Sequence, residues 1–346
     1  MPRPDTPEAR AIATWLAREM RAAGVTIAGY EKLSGGAIQG NFALDVEVSG
    51  GPHAGHHALV LRTDAPSLVA SSNSRAQEFA ALRAAHAAGV LAPEPLFLCL
   101  DRRVIGREFF VMRRIAGVGA GHRMVRDSAL VPDGPALARE LGANLARIHA
   151  IRPPQPGLEV LGPPPADPAR AVVARCRGHL DAMNESHPTL EWGLRWCERH
   201  APVPSDITLV HRDYRTGNYL VQGGHLTGAL DWEFAGWGDP REDLGWLTAR
   251  CWRFGAVDRE AGGIAPVEPF LQGYESIAHR TITRGELEYW QAIAHLRWAV
   301  IALQQARRHL EGGETSLELA LTGRIVHELE YEIMHLTRGA PDDRHS

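Results

Sequence analysis

Lysine is almost absent from this chain. Of 37 lysine and arginine side chains in 346 residues, a single one, Lys32, is lysine. Any chemistry that needs a basic group on a given strand therefore falls to arginine, which is forked and permanently charged rather than a compact ammonium. The four cysteines, Cys99, Cys176, Cys197 and Cys251, form no C-x-x-C pair, and the length opposes a disulfide scaffold, so reduced, buried thiols are expected. No apolar run is long enough to span a membrane, and the opening stretch MPRPDTPEARAIATWL lacks a signal-like apolar segment. A cytoplasmic protein with no membrane partner is the expectation. Basic charge is not in excess either: a net charge of −4 and a pI near 6.5 oppose a nucleic-acid partner. There is no internal repeat.

What remains is a globular composition, 45% hydrophobic and 23% charged, on a chain long for one core, so two lobes are expected. Thr6-Pro7-Glu8 reads as a cap and first turn, with Ile12, Trp15, Leu16 and Met20 at helical spacing and Gly24 as the stop. Residues 25–33, 42–48 and 58–62 read as strands, 74–88 as a helix, and two further strands run toward Cys99 and over 107–112. This is an antiparallel sheet with one helix inserted after its third strand. Beyond Ile115 the pattern is mainly helical, over 135–150, 168–200, 284–310 and 316–336, with a Pro/Gly-rich loop at 151–169. The fold class is α+β, divided into an N-terminal lobe of residues 1–113 and a helical C-terminal lobe of residues 114–346.

The chemistry is concentrated between Leu209 and Leu220, LVHRDYRTGNYL, which carries H-R-D-x-x-x-x-N flanked by apolar anchors. In phosphoryl transfer, a loop of this pattern supplies an aspartate that takes or orients the acceptor hydroxyl proton and an asparagine that offers a neutral oxygen to Mg²⁺. Asp213 and Asn218 hold those positions. A turn at Gly223-Gly224 then leads into Gly228-Ala229-Leu230-Asp231-Trp232-Glu233, an apolar strand that delivers Asp231 beside Asn218. Asp231 is expected to bridge the metal to nucleotide phosphates, with Glu233 as a further acid. One amide and one carboxylate suffice for magnesium, which keeps several waters. A lone Asp or Asn in a loop is ordinarily a turn residue. The argument rests on several parts arriving in the right order.

Those parts resemble the aminoglycoside phosphotransferase/choline kinase family. That family usually reads H-G-D-x-x-x-x-N followed by D-x-E or D-x-D; the glycine is Arg212 here. Within it the chain is similar to the acyl-CoA-dehydrogenase-associated kinase-like branch. The shared features are the V-L-R strand (Val60-Leu61-Arg62), the E-F-x-x-L-R helix (Glu78 to Arg83) and D-W-E-x-A-x-x-G-D-P (Asp231 to Pro240). The resemblance runs over about residues 25–340. It implies a bilobal, protein-kinase-like fold that uses ATP and Mg²⁺. It puts Arg62 where kinases carry a strand-three lysine, touching the α/β-phosphates and pairing with Glu78, although a surface ion pair is the plain alternative. Gly35, Gly36 and Gly40 would cover phosphates with backbone amides, though their spacing is not G-x-G-x-x-G and an ordinary hairpin is an equal alternative. Adenine would meet backbone near Met112 to Arg114. His149 and His211 are expected to support the loop, and Asp243 to brace it.

For the acceptor, Arg250, Trp252 and Arg253 follow the motif, and arginines three apart share a helical face. They favour an anionic alcohol, a hydroxyacyl-CoA or hydroxy acid, in agreement with what the branch implies. They could equally pair with acids such as Glu242 and Asp258. An aminoglycoside or amino-alcohol kinase is the alternative enzyme. A nucleotide-binding pseudokinase is the alternative of another class, motivated by Arg62.

Overall fold

The computed structural model describes residues 6–33, 39–64, 72–204, 206–311 and 316–338. Helix α1 (Pro7–Glu19) starts where Thr6 Oγ1 accepts the Ala9 N–H at 3.1 Å. It lays Ile12, Trp15 and Leu16 onto a five-stranded antiparallel sheet. The strands are β1 (Gly24–Lys32), β2 (Gln39–Ser49), β3 (Gly55–Asp64), β4 (Pro95–Cys99) and β5 (Phe109–Arg113), in the spatial order β1-β2-β3-β5-β4. Helix α2 (Arg75–Ala87), closed at its start by a Ser74–Gln77 capping box, enters between β3 and β4.

Strand periodicity decides what each face of this sheet does. Leu59 and Leu61 of β3 and Phe109 and Val111 of β5 turn toward α1. Val60, Phe110 and Met112 turn the other way, onto Phe79 and Leu82 of α2, into a core that continues through Leu141, Tyr214 and Trp232 of the helical part. Arg62, two residues past Val60, shares that second face. Alternation thus aims Arg62 at the rest of the chain.

The helical part contains α3 (Gly121–Arg126), α4 (Gly134–His149), α5 (Pro168–Met183) and α6 (Pro188–Arg199). The pattern expected as one stretch over 168–200 is two helices, because Asn184 turns left-handed at φ +53° and Pro188 opens the next helix. Strand β6 (Thr208–Val210) pairs with β9 (Gly236–Gly238). Strand β7 (Tyr219–Gln222) pairs with β8 (His225–Ala229) across Gly223 and Gly224 at φ +59° and +84°. Helices α7 (Arg241–Thr248), α8 (Val267–Ala278), α9 (Arg284–Leu310), α10 (Leu317–Arg324) and α11 (Val326–Thr337) complete the chain. The 316–336 pattern also divides in two, at Ile325. Helix α9 is the spine of a second core with α5, α6 and α11. Among the described residues no helix is long and apolar enough to cross a membrane.

Candidate active site

Two small ladders hold the H-R-D loop from both ends. β6 delivers His211, and β7 departs from Asn218. The hairpin returns so that the Leu230 N–H donates to the Asn218 carbonyl at 2.7 Å, which brings Asp231 beside the loop. Strand β8 itself ends at Ala229, so Asp231 stands beyond the ladder, at φ +67°. Its side chain is 26% accessible, whereas Asp213 and Asn218 are buried.

Asn218 ties the loop to itself. Its Nδ2 donates to the Asp213 carbonyl at 3.0 Å and also to Asp213 Oδ2. With both amide hydrogens used in this way, the Asn218 carbonyl oxygen is the end left to face a ligand. Asp213 Oδ1 accepts from Trp246 Nε1 at 2.9 Å and from Arg215 Nε at 3.1 Å. The loop backbone is braced from α7: Asp243 accepts the N–H groups of His211 and Arg212, each at 2.6 Å. Asp243 also meets His149 Nε2 at 3.1 Å, and His149 Nδ1 meets the Tyr274 hydroxyl at 2.9 Å. Burial alone would raise the Asp243 carboxyl. The His149 hydrogen bond and the nearby histidines override that and hold it below the ordinary range. Burial lowers His211, whose Nδ1 accepts the Asp213 N–H at 3.2 Å.

Arg212 stands at φ +63°, a region that strains a side chain. The arginine is tied down at several points. Its Nη2 donates to the Trp237 carbonyl at 2.6 Å, its Nε lies 3.5 Å from Glu242, and its own carbonyl accepts from Arg297 Nη1 at 2.6 Å.

On the opposite flank Arg62 is almost fully buried. Its Nε lies 2.5 Å from Glu78 Oε1, its Nη2 donates to Asp231 Oδ1 at 2.5 Å, and its Nη1 donates to Asn41 at 3.3 Å. Glu78 also pairs with buried Arg75, which reaches Asp64 at 2.9 Å. The Arg62–Glu78 pair is therefore interior, not a surface bridge. Burial would lower the Arg62 guanidinium, but Glu78, Asp231 and Glu233 together raise it. Burial would likewise raise Asp231, and the Arg62 charge overrides it, lowering that carboxyl. Glu233 accepts from the Ser72 hydroxyl at 2.9 Å, and its carbonyl takes the Asn73 N–H at 2.7 Å, which fastens the approach to α2 onto this segment.

The remaining expected residues are spread more widely. Gly35 and Gly36 lie outside the described residues. Gly40 sits within β2, opposite Thr63. Met112 is turned into the core under α2. The Arg114 N–H donates to the Ala58 carbonyl at 3.0 Å, and its guanidinium pairs with Asp45 at 2.5 Å. Helix α7 ends at Thr248, so Arg250 and Arg253 do not share a continuing helix. Arg250 pairs with Glu332 at 3.1 Å. Arg253 is buried, donating to the carbonyls of Thr248 and Val257 at 2.9 and 2.7 Å and meeting Glu260 at 3.2 Å. Each arginine meets one acid, Glu332 or Glu260, rather than Glu242 or Asp258, and Arg253 is held by backbone carbonyls as well. Trp252 is buried, with the Arg215 guanidinium 4.4 Å from its ring centroid.

Three residues around Asp213 went unnoticed in the sequence: Arg215, Trp246 and Arg297. Arg215 lies inside the motif itself. Trp246 stands one turn after Asp243, a spacing that puts both on one face of α7. Nothing local marks Arg297.

The phosphotransferase enzyme family pattern matches residues 29–288. Acyl-CoA dehydrogenase family member 11 of Rattus norvegicus is 26% identical over 300 residues, covering 82% of this chain and 38% of that protein. Acyl-CoA dehydrogenase family member 10 of Mus musculus is 29% identical over 287 residues, covering 78% of this chain and 26% of that protein. The chain thus spans well under half the length of these curated relatives. Among solved structures, a Ralstonia eutropha protein assigned as an aminoglycoside phosphotransferase aligns with a TM-score of 0.75 at 20% identity, over 96% of this chain and 98% of its own. A thermostable mutant of aminoglycoside phosphotransferase APH(4)-Ia, in ternary complex with AMP-PNP and hygromycin B, aligns with a TM-score of 0.60 at 16% identity, over 95% and 99%. At such identities the likeness is one of fold, and that fold is kinase-like: an antiparallel sheet followed by a largely helical part. Since the family pattern spans most of the sequence and takes in the whole Asp213–Asp231 constellation, the chain belongs to the phosphotransferase enzyme family.

Proposed function

We propose that this protein transfers the γ-phosphate of ATP to a hydroxyl of a small molecule, with Asp213 as the catalytic base and Asn218 and Asp231 as the metal-binding pair. The observation that carries this reading is the Asn218 amide. Its nitrogen is fixed on Asp213, which leaves its oxygen to face a ligand, and the Leu230 N–H held by the Asn218 backbone carbonyl brings the next residue, Asp231 with its accessible carboxylate, to the same loop. An amide oxygen beside a carboxylate is a donor set suited to a hard cation that keeps its waters. Bound there, Mg²⁺ would neutralise charge on the phosphates.

The residues of the chain divide the remaining work. Asp213 orients the acceptor O–H and takes its proton as the oxygen forms its bond to the γ-phosphorus. The bond from that phosphorus to the bridging β,γ-oxygen breaks, and ADP leaves with the electron pair. Arg215, beside Asp213 and partly accessible, is suited to meeting the negative charge of the transferred group. Arg62 would lend its charge to the α/β-phosphates.

For the acceptor we infer an anionic alcohol, a hydroxyacyl-CoA or a hydroxy acid. Arg215 lies on the Asp213 carboxylate and stays partly accessible, a positive group at the reacting centre that suits an anion better than a polycation. The names of the curated relatives point toward acyl-CoA chemistry. The hygromycin B bound by a structural neighbour keeps an aminoglycoside acceptor as the second reading.

A phosphorylation screen read by mass spectrometry, with hydroxyacyl-CoAs and hydroxy acids set against aminoglycosides and amino alcohols, tests both. Phosphorylated aminoglycoside alone would reverse the acceptor assignment. ATP binding without any phosphorylated product would make the chain a pseudokinase. Asp231→Ala is expected to abolish Mg²⁺-dependent nucleotide binding, and retained binding would remove Asp231 from the metal pair.

A further inference from the structure

The Asp213 carboxylate is held by three side-chain donors of different kinds. A carboxylate turns about a broad, two-fold χ2 torsion, so an aspartate on a loop needs such donors to keep one plane. Asn218 Nδ2 holds Oδ2, while Arg215 Nε and Trp246 Nε1 hold Oδ1. On the phosphotransfer reading of this site, on which this inference rests, Asn218 is drawn on by a cation and Arg215 by the transferred phosphate. Trp246, neutral and 3% exposed, is the one of the three that neither ligand draws on. Its donor is also well matched. Among the described residues the buried indoles of Trp252 and Trp290 find no hydrogen-bond partner, whereas the Trp246 indole reaches the base at 2.9 Å.

The indole is itself fixed. The Arg297 guanidinium lies 4.5 Å from its ring centroid while its Nη1 donates to the Arg212 carbonyl, one residue before Asp213. Trp246 also stands one turn after Asp243, the acceptor of the loop's backbone N–H groups. One face of α7 therefore holds both the backbone of the loop and the side chain that reacts. Gly245, between them, lets α7 close on α9, where a Cβ would collide with the Trp290 backbone.

We propose that Trp246 is a positioning residue for phosphoryl transfer. Its indole N–H sets the plane of the Asp213 carboxylate, so that the oxygen facing the acceptor keeps its aim when nucleotide and metal bind. It acts through Asp213 and does not touch the substrate. Misplacing a reacting group by about 1 Å can cost on the order of 10²-fold in rate. Trp246→Phe keeps an aromatic ring beneath the Arg297 guanidinium and removes the donor. With the acceptor found in the screen, kcat is expected to fall about 10- to 100-fold while KM for ATP stays within about twofold.

Trp298→Phe is the packing control, since Trp298 belongs to the same aromatic cluster, tilted at 49° against Trp252 with centroids 4.9 Å apart, and does not bond Asp213. It should leave kcat within about twofold of wild type. A Trp246→Phe protein as fast as wild type overturns the proposal, as does an equal loss in both variants. A readout independent of turnover is the Trp246 indole N–H resonance in a ¹⁵N spectrum, assigned by its absence in Trp246→Phe. Asp213→Asn should move it more than any other indole resonance. A resonance that stays in place overturns the contact on which the proposal stands. If the wild type phosphorylates nothing in the screen, the phosphotransfer reading fails while the indole resonance still decides the contact.

Discussion

Arg62 and Asp213 stand on the two flanks of the candidate site and are held by opposite means. Around Arg62 the binding is a chain of alternating charge: Asp64, Arg75, Glu78, Arg62 and Asp231, with the middle three buried. Each of those charges is tolerable because its neighbours compensate it. Around Asp213 the donors are an amide, an indole and the partly accessible Arg215 guanidinium, while the loop's backbone N–H groups go to Asp243 of α7. Losing one of these turns a group without stranding a charge in the interior. The phosphate flank therefore stakes stability on its arginine, whereas the loop flank stakes geometry, and hence rate, on its donors.

The largest expected effect is on rate. Asp213→Ala should lower kcat about 10²–10⁴-fold while nucleotide affinity and denaturation midpoint stay close to wild type. Steady-state kinetics beside an ATP titration checks it, and unchanged turnover would remove Asp213 from the mechanism. Arg62→Met inverts the pattern. It strands Glu78 against Arg75 alone and frees Asp231, and should cost about 3–5 kcal/mol of stability, read by urea denaturation. An Arg62→Met protein as stable as wild type would break the comparison, because the charge chain would then carry nothing.

Asp243→Asn sharpens the comparison from inside the loop flank, where Asp243 is itself a buried carboxylate. The asparagine keeps one oxygen for two backbone donors, so a loss of about 1–3 kcal/mol is expected. The pH dependence carries a sign. The Asp243 carboxyl is held below its ordinary value, burial being overridden by His149 and the loop donors. Its contribution to stability is therefore complete above about pH 4, the unfolded value, and is lost as pH falls through the lower folded one. Urea midpoints between neutral and acid pH should accordingly fall less steeply in Asp243→Asn than in wild type. Parallel slopes would mean that the carboxylate form of Asp243 does not brace the loop.

Much of this was open to a reader of the sequence, and what was hidden has physical reasons. Period-two alternation marks the strands and helical spacing the helices, because each reports a single buried face. The H-R-D-x-x-x-x-N loop and the strand-borne aspartate after it are legible because their geometry is local. The helix break at Asn184 was missed because a left-handed asparagine inside a helical pattern looks like any polar position. The contact between Arg62 and Asp231 spans 169 residues and leaves no periodic trace. Trp246 illustrates a different limit. Its apolar ring satisfies the packing pattern of α7, and the pattern says nothing about where its one N–H points.

The smallest effect separates the two flanks at Arg212, a left-handed residue of the loop. A left-handed backbone costs a residue with a Cβ about 1–2 kcal/mol and glycine almost nothing. Arg212 sits there at φ +63° with its guanidinium on the Trp237 carbonyl and near Glu242, contacts that offset the strain. Arg212→Ala removes the contacts and keeps the strain, while Arg212→Gly removes both. Alanine should therefore be the less stable of the two by about 1 kcal/mol, with glycine within about 1 kcal/mol of wild type. Urea midpoints of the three proteins decide it. If alanine matched glycine, the loop would relax out of its left-handed turn, and Asp213 would owe its place to the side chains of α7 rather than to the backbone. A gap larger than about 2 kcal/mol would place the rigidity of the loop in that turn, leaving α7 only the orientation of the carboxylate.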